Sequence, residues 1–162
     1  MEKQKSIAIL CAGGPAPGIN TVVATITKRF LADGFRVLGL QHGYSTMFKE
    51  NTVYTELSYD IADRIYDRGG SFLKMSRYKP KKEEFNDRFF KAENVKLLVT
   101  IGGDDTASTA NRLSIFLSEA GVKVQNIHVP KTIDNDLPLP KGISTFGYQT
   151  AKDEGARLAK TV

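Results

Sequence analysis

The feature that most constrains the fold of this chain is an alternation of short apolar runs with longer amphipathic segments. Four runs rich in β-branched residues predict buried strands, at residues 6–11, 36–40, 96–101 and 126–129. The spacing of apolar residues elsewhere predicts helices over residues 19–32, 59–67, 83–92, 106–119 and 147–160. Strands that alternate with helices are typical of an α/β protein with a mostly parallel sheet and flanking helices.

Composition narrows the class of partner. The chain has 162 residues, of which 41% are hydrophobic and 25% charged, as in ordinary globular domains. Its net charge of +5 suits a phosphorylated metabolite as well as nucleic acid. The basic residues are scattered, apart from the short cluster Lys79, Lys81 and Lys82, and no aromatic residues interleave with them. We therefore predict no nucleic-acid partner.

Cysteine usage and hydropathy indicate a cytoplasmic protein. The single cysteine, Cys11, lies inside the first apolar run, where a small buried hydrophobe is its ordinary role, and a lone cysteine fits a reducing compartment. The first residues, MEKQKSIAIL, are too short and too soon interrupted to predict a signal peptide. No apolar run approaches the length of a membrane span, so we predict no membrane partner.

Three loops that directly follow predicted strands carry unusual residues. In parallel α/β sheets ligands bind beyond the carboxyl ends of the strands, so these loops are candidate binding elements. The first loop, AGGPAPGIN, contains Gly13 and Gly14, which allow a tight turn and a close approach of backbone to ligand. Amides at the start of the next helix favour an anion. The loop matches neither the P-loop nor GxGxxG, and it fits a structural turn as well as a phosphate site.

The second loop, GGDDT, places two aspartates where a helix would begin. One interpretation is structural: Asp104 or Asp105 caps the free amides of that helix. The other is chemical: one of the carboxylates binds Mg²⁺, directly or through water. Magnesium prefers oxygen ligands and keeps several waters, so one or two carboxylates suffice when phosphates supply the rest.

The third loop, PKTIDND, contains Lys131 and Thr132 followed by Asp134 and Asp136. A carboxylate that faces a sugar hydroxyl can accept its proton during attack on phosphorus, and a lysine can balance charge on a transferring phosphoryl group. A polar turn with an Asx-type hydrogen bond is the structural alternative. Because three such loops lie at three strand ends, the sequence favours one shared phosphate and metal site.

Four segments, taken together and in order, resemble those of one protein family. They are ILCAGGPAPGIN, RGGSFLKMSR, IGGDDT and PKTIDND. They resemble segments in the N-terminal part of phosphofructokinases, specifically the pyrophosphate-dependent type. The first is similar to the first phosphate loop of that family, and the second to a glycine-containing segment that ends in a phosphate-facing arginine. The third is similar to the loop for donor phosphate and magnesium, and the fourth to the catalytic loop. The resemblance covers essentially the whole chain and implies a phosphofructokinase-like N-terminal domain with Rossmann-like layers.

The resemblance implies roles for the acidic residues. Asp134 would be the general base that takes the proton from the 1-hydroxyl of fructose 6-phosphate. Thr132 would help to hold the sugar phosphate or the transferring group. Asp104 would bind Mg²⁺, and Asp136 would help through the water shell of the metal.

The resemblance also implies pyrophosphate as the donor. Gly13 and Gly14 would approach the donor phosphate, and Arg77 would bind substrate phosphate. ATP-using relatives are expected to have glycine at the position of Asp105, which leaves room for the α-phosphate of the nucleotide. A carboxylate there fills that volume and repels a phosphate, so ATP would be rejected while pyrophosphate fits. Lys131 would then offset charge on the smaller donor.

The family's chains are much longer than this one. Residues 1–162 correspond to the donor-phosphate and catalytic-loop part of a phosphofructokinase-like domain, so by themselves we expect them to fold marginally and to turn over little substrate. The full-length form would be a homo-oligomer. Two alternatives stay open: an ATP-dependent phosphofructokinase, and a non-catalytic phosphate-binding or regulatory domain. The presence of Asp134 and Lys131 argues against the second, since a binder needs no base.

Overall fold

The computed structural model describes residues 3–161 and has a five-stranded sheet at its centre. The strands are β1 (Ser6–Cys11), β2 (Arg36–Leu40), β3 (Tyr54–Leu57), β4 (Val95–Gly102) and β5 (Gln125–Pro130). They lie in the order β3-β2-β1-β4-β5, and all neighbouring pairs are parallel except β2 and β3, which are antiparallel. The predicted mostly parallel sheet is confirmed.

Helices cover both faces of this sheet. They are α1 (Ile19–Ala32), α2 (Tyr44–Met47), α3 (Tyr59–Ile65), α4 (Arg88–Ala92), α5 (Asp104–Glu119) and α6 (Tyr148–Ala159), with a 3-10 turn at Lys82–Glu84. Within residues 3–161, no helix is both long and apolar enough to cross a bilayer.

The sequence prediction differs from the structure in three elements. The predicted helix over residues 83–92 is wrong, because only Arg88–Ala92 forms an α-helix. Buried Phe85 adopts an extended backbone after the 3-10 turn, and the Asn86 side chain donates a hydrogen bond to the Phe48 carbonyl at 2.9 Å, which interrupts the helical path. Strand β3 and helix α2 have four residues each, too few to give a periodic pattern.

The central strand β1 divides the core into two layers. Every residue of β1 is buried, as expected of a parallel strand covered on both faces. Ala8 and Leu10 belong to the layer under α4 and α5, whereas Ile9 and Cys11 belong to the layer under α1 and α3. Cys11 is therefore the small buried hydrophobe that the sequence predicts, and burial raises the pKa of its thiol to about 12.

The order of the strands creates a crevice. From β1 the chain moves to β2 on one side, and it later returns as β4 on the other side of β1. Loops at the carboxyl ends of β1 and β4 therefore diverge to opposite faces, and the space between them is the usual ligand site of such sheets. The loop after β5 borders the same space.

The close contact at the end of β4 gives a stability prediction. A methyl group at Gly102 would lie 2.3 Å from Thr106 Oγ1 and 2.8 Å from the Ala12 carbonyl oxygen. Gly102→Ala should therefore lower the free energy of unfolding by about 1–3 kcal/mol, the usual effect of overpacking. Gly69→Ala is the matched control, because a methyl group there meets open space. Urea unfolding of both variants in the natural polypeptide measures the difference; equal losses would contradict the packing described.

Candidate functional site

The loops that follow β1, β4 and β5 line one open cavity of about 650 Å³. All nine residues singled out in the sequence border this cavity: Gly13, Gly14, Arg77, Asp104, Asp105, Lys131, Thr132, Asp134 and Asp136. Eight of them come from the three strand-end loops. Arg77 comes from the irregular segment between α3 and the 3-10 turn. The structure thus brings together residues up to 123 positions apart in sequence.

The first loop is joined to that irregular segment by a backbone hydrogen bond. Gly13 has a φ of +90°, a left-handed conformation that glycine adopts without strain, and its N–H donates to the Ser76 carbonyl at 3.0 Å. A methyl group on Gly14 would lie 3.4 Å from Arg77 Nη2. The Arg77 guanidinium therefore packs close to the Gly14 backbone, where it faces the same space as the loop.

The second loop begins helix α5 earlier than predicted. The helix starts at Asp104 rather than at residue 106, so both aspartates lie in its first turn. Asp104 Oδ1 accepts the backbone N–H of Asp105 at 2.8 Å. One oxygen of Asp104 thus satisfies a free amide of the first turn, but the N-cap residue is Gly103, so neither aspartate caps the helix as the structural interpretation predicts. The residue is exposed at the cavity, so its second oxygen can still reach a cation.

Lys131 joins the third loop to the first. The residue is only 5% exposed, and its ammonium group donates a hydrogen bond to the Gly14 carbonyl. Burial lowers the pKa of Lys131 below that of an exposed lysine; the nearby Arg77 acts in the same direction, and Asp134 opposes it. A poorly hydrated cation interacts strongly with an anion that enters the cavity.

The third loop forms a polar turn, but the turn is closed by a threonine hydroxyl and not by the Asx-type hydrogen bond of the structural alternative. The Asp134 N–H donates to Thr132 Oγ1 at 3.1 Å, and Asn135 has a φ of +54°, which asparagine tolerates well. This turn leaves the side chains of Asp134 and Asp136 exposed at the cavity. The Thr132 hydroxyl accepts one hydrogen bond and can still donate its own hydrogen. A structural turn and a chemical role are therefore compatible here.

Lys79 is a cavity residue that the sequence analysis did not single out as functional. Its Nζ lies 2.6 Å from Oδ2 of Asp105. Both side chains are more than half exposed, so the pair adds little to stability, but it offsets the charge of Asp105. A repulsion between Asp105 and a phosphate would therefore be weaker than the sequence indicated. The available signal was the basic cluster of Lys79, Lys81 and Lys82, just after Arg77.

The charges around the cavity fit a magnesium-bound phosphate. Its lining includes three cations, Arg77, Lys79 and Lys131, and four carboxylates, Asp104, Asp105, Asp134 and Asp136. In the described part of the chain, no three histidine, cysteine or acidic side chains are close enough to hold a metal by themselves. Magnesium commonly needs only one or two carboxylates when phosphate and water complete its shell. Asp104 and Asp136 fit that requirement.

The fold and the cavity define a doubly wound α/β domain with a charged site at its switch point. The phosphofructokinase family model matches residues 6–161, and the chain belongs to this family. A pyrophosphate--fructose 6-phosphate 1-phosphotransferase from Naegleria fowleri is 43% identical over 162 residues, and one from Thermotoga maritima is 41% identical over 157 residues. An ATP-dependent 6-phosphofructokinase from Clostridium novyi is 36% identical over 151 residues.

These matches cover most of this chain but a minority of each relative. The alignments span 97%, 94% and 91% of this chain, and 36%, 37% and 44% of the three relatives in the same order. A solved phosphofructokinase from Pichia pastoris in the T-state superimposes with a TM-score of 0.83 at 22% identity, over 98% of this chain and 18% of that one. That similarity supports the fold.

Proposed function

We propose that these residues form the donor-phosphate and catalytic-loop part of a magnesium-dependent phosphotransferase that moves a phosphoryl group from pyrophosphate to fructose 6-phosphate. The observation that carries this proposal is the meeting of Lys131, Asp134 and the GGDD loop at one cavity. The names of the two relatives above 40% identity support both substrates. The products would be fructose 1,6-bisphosphate and phosphate, in a reversible glycolytic step.

The proposed chemistry follows from the exposed carboxylate of Asp134. It would accept the proton of the 1-hydroxyl while the hydroxyl oxygen bonds to phosphorus and the bond from phosphorus to the leaving phosphate breaks. Lys131 would balance charge on the transferring group from its nearly buried position. Thr132 would donate its hydroxyl hydrogen to a phosphate oxygen, and Arg77 would bind substrate phosphate.

Magnesium would be held by Asp104, with Asp136 acting through the water shell. A bound divalent cation neutralises phosphate charge and orients the donor. Around it, Gly13 and Gly14 would present open backbone to the donor phosphate, and Asp105 would limit the length of the donor that fits.

The remaining parts of the proposal concern the whole protein. The sugar pocket would be completed by polypeptide beyond these residues, and the complete form would be a homo-oligomer. The buried free thiol of Cys11 supports a reducing, cytoplasmic location. An ATP-dependent enzyme is the second candidate, favoured by the relative from Clostridium novyi, and the Asp105 side chain in the cavity argues against it.

Removal of the proposed base is the test of function. In the natural polypeptide, Asp134→Ala should lower kcat by about 100- to 10,000-fold, the usual range for general acid–base catalysis, with smaller changes in KM. Asp153→Ala is the control, because Asp153 is an exposed carboxylate on α6 away from the cavity. Fructose 1,6-bisphosphate formation from pyrophosphate is the readout. A drop of less than about tenfold would show that Asp134 is not the base.

Donor choice tests the role of Asp105 separately. Asp105→Gly should raise kcat/KM with ATP relative to pyrophosphate, because the volume of the side chain disappears. Asp105→Asn keeps that volume and removes the charge. Since Lys79 already offsets the charge, the asparagine variant should retain the donor preference of the unmodified enzyme. An unmodified enzyme that prefers ATP, or a donor ratio that Asp105→Gly leaves unchanged, would refute this role.

A further inference from the structure

A short segment before helix α6 contacts both the catalytic loop and the first phosphate loop, which the proposed reaction requires to be correctly placed relative to each other. It consists of residues 145–147, here called the brace. Thr145 is 3% exposed, although residues 141–144, directly before it, are all exposed. A threonine that is buried between exposed neighbours and a helix start must make specific contacts, and those contacts go to the catalytic loop.

Thr145 holds the catalytic loop on both sides of Asp134. Its hydroxyl donates a hydrogen bond to the Thr132 carbonyl, and its backbone N–H donates to Asn135 Oδ1 at 3.1 Å. Asp134 lies between these two anchored residues. Its own side chain is exposed, so the position of its carboxylate depends on the backbone that carries it.

The other end of the brace contacts the first phosphate loop. The Phe146 ring packs on Gly18, where a methyl group would lie 3.4 Å from Phe146 Cδ2. Gly147 has a φ of +86°, and a methyl group there would lie 2.5 Å from the Pro17 carbonyl oxygen. Gly147 therefore lets the backbone approach the loop that starts helix α1, and a side chain at this position would push the two apart.

We propose that Thr145 and Gly147 are positioning residues, which set the distance between the Asp134 carboxylate and the donor loop that begins at Gly13. The inference rests on the proposed function for its kinetic consequence. Its structural consequence, an ordered loop at residues 132–136, stands apart from that function. Reacting groups tolerate little misplacement, and an error of about 1 Å can lower a rate about 100-fold.

The test at Thr145 compares two variants of the natural polypeptide. Thr145→Val keeps the shape and removes the hydroxyl, whereas Thr145→Ser keeps the hydroxyl. The valine variant should lower kcat about 10- to 100-fold with far smaller changes in both KM values, and the serine variant should restore most of the rate. Hydrogen exchange should show faster exchange of the amides at 132–136 in the valine variant only.

The test at Gly147 uses a control with the same backbone conformation. Gly142 also has a positive φ, +83°, but a methyl group there meets open space. Gly147→Ala and Gly142→Ala therefore carry the same type of backbone strain and differ in crowding against Pro17. Only Gly147→Ala should weaken the binding of inorganic pyrophosphate in calorimetry.

Several results would overturn the proposal that Thr145 and Gly147 are positioning residues. They are equal kcat values for the valine and serine variants at Thr145, unchanged exchange at residues 132–136 in the valine variant, or equal pyrophosphate affinity for the two glycine variants. If the unmodified polypeptide transfers no phosphoryl group from pyrophosphate, the proposed function fails instead. The exchange measurement then still decides whether Thr145 orders the catalytic loop.

Discussion

The site depends on the parallel pairing of β1 with β4. The ladder continues past the end of β1, where the Ala12 N–H donates to the Ile101 carbonyl at 3.0 Å. The neighbouring ladder between β4 and β5 continues past the end of β5, where the Lys131 N–H donates to the Gly102 carbonyl at 2.8 Å. These bonds fix the strand ends from which all three loops depart. Because the order in which the chain adds strands to the sheet reverses at β1, the loops open a crevice between them. The relative positions of site residues from the three loops therefore depend on the backbone pairing of the strands that carry those loops.

The crevice is lined by charged groups of both signs. A nearly buried lysine bonded to the Gly14 carbonyl faces a group of carboxylates that remain exposed. Burying the lysine costs free energy, and a phosphate bound beside it would offset that cost. The carboxylates would repel the same phosphate unless a divalent cation lay between them. In the proposed function the two groups together would favour a metal-bound phosphate over either partner alone, and the Lys79–Asp105 pair borders the same space.

Much of the fold, and which residues line the cavity, could be predicted from sequence, since short apolar runs and glycine-rich strand ends are local features of the chain. Four strands gave apolar runs, and the helices α1, α3, α5 and α6 gave periodic patterns. Strand β3 did not, because its four residues include a single buried one, Leu57. The pairing of Lys79 with Asp105 and the anchoring of the catalytic loop by Thr145 could not be predicted. Both are tertiary contacts between residues that no local pattern relates.

In the proposed function, one cavity holds the donor, the metal and the base. A crystal structure of the natural polypeptide grown with pyrophosphate and Mn²⁺ in place of Mg²⁺ tests it directly, since anomalous scattering locates manganese. We expect pyrophosphate along Gly13 and Gly14 with Lys131 beside it, and manganese at Asp104 on the side of Asp136. Pyrophosphate bound outside this cavity, or manganese remote from Asp104 while pyrophosphate is bound, would contradict the account.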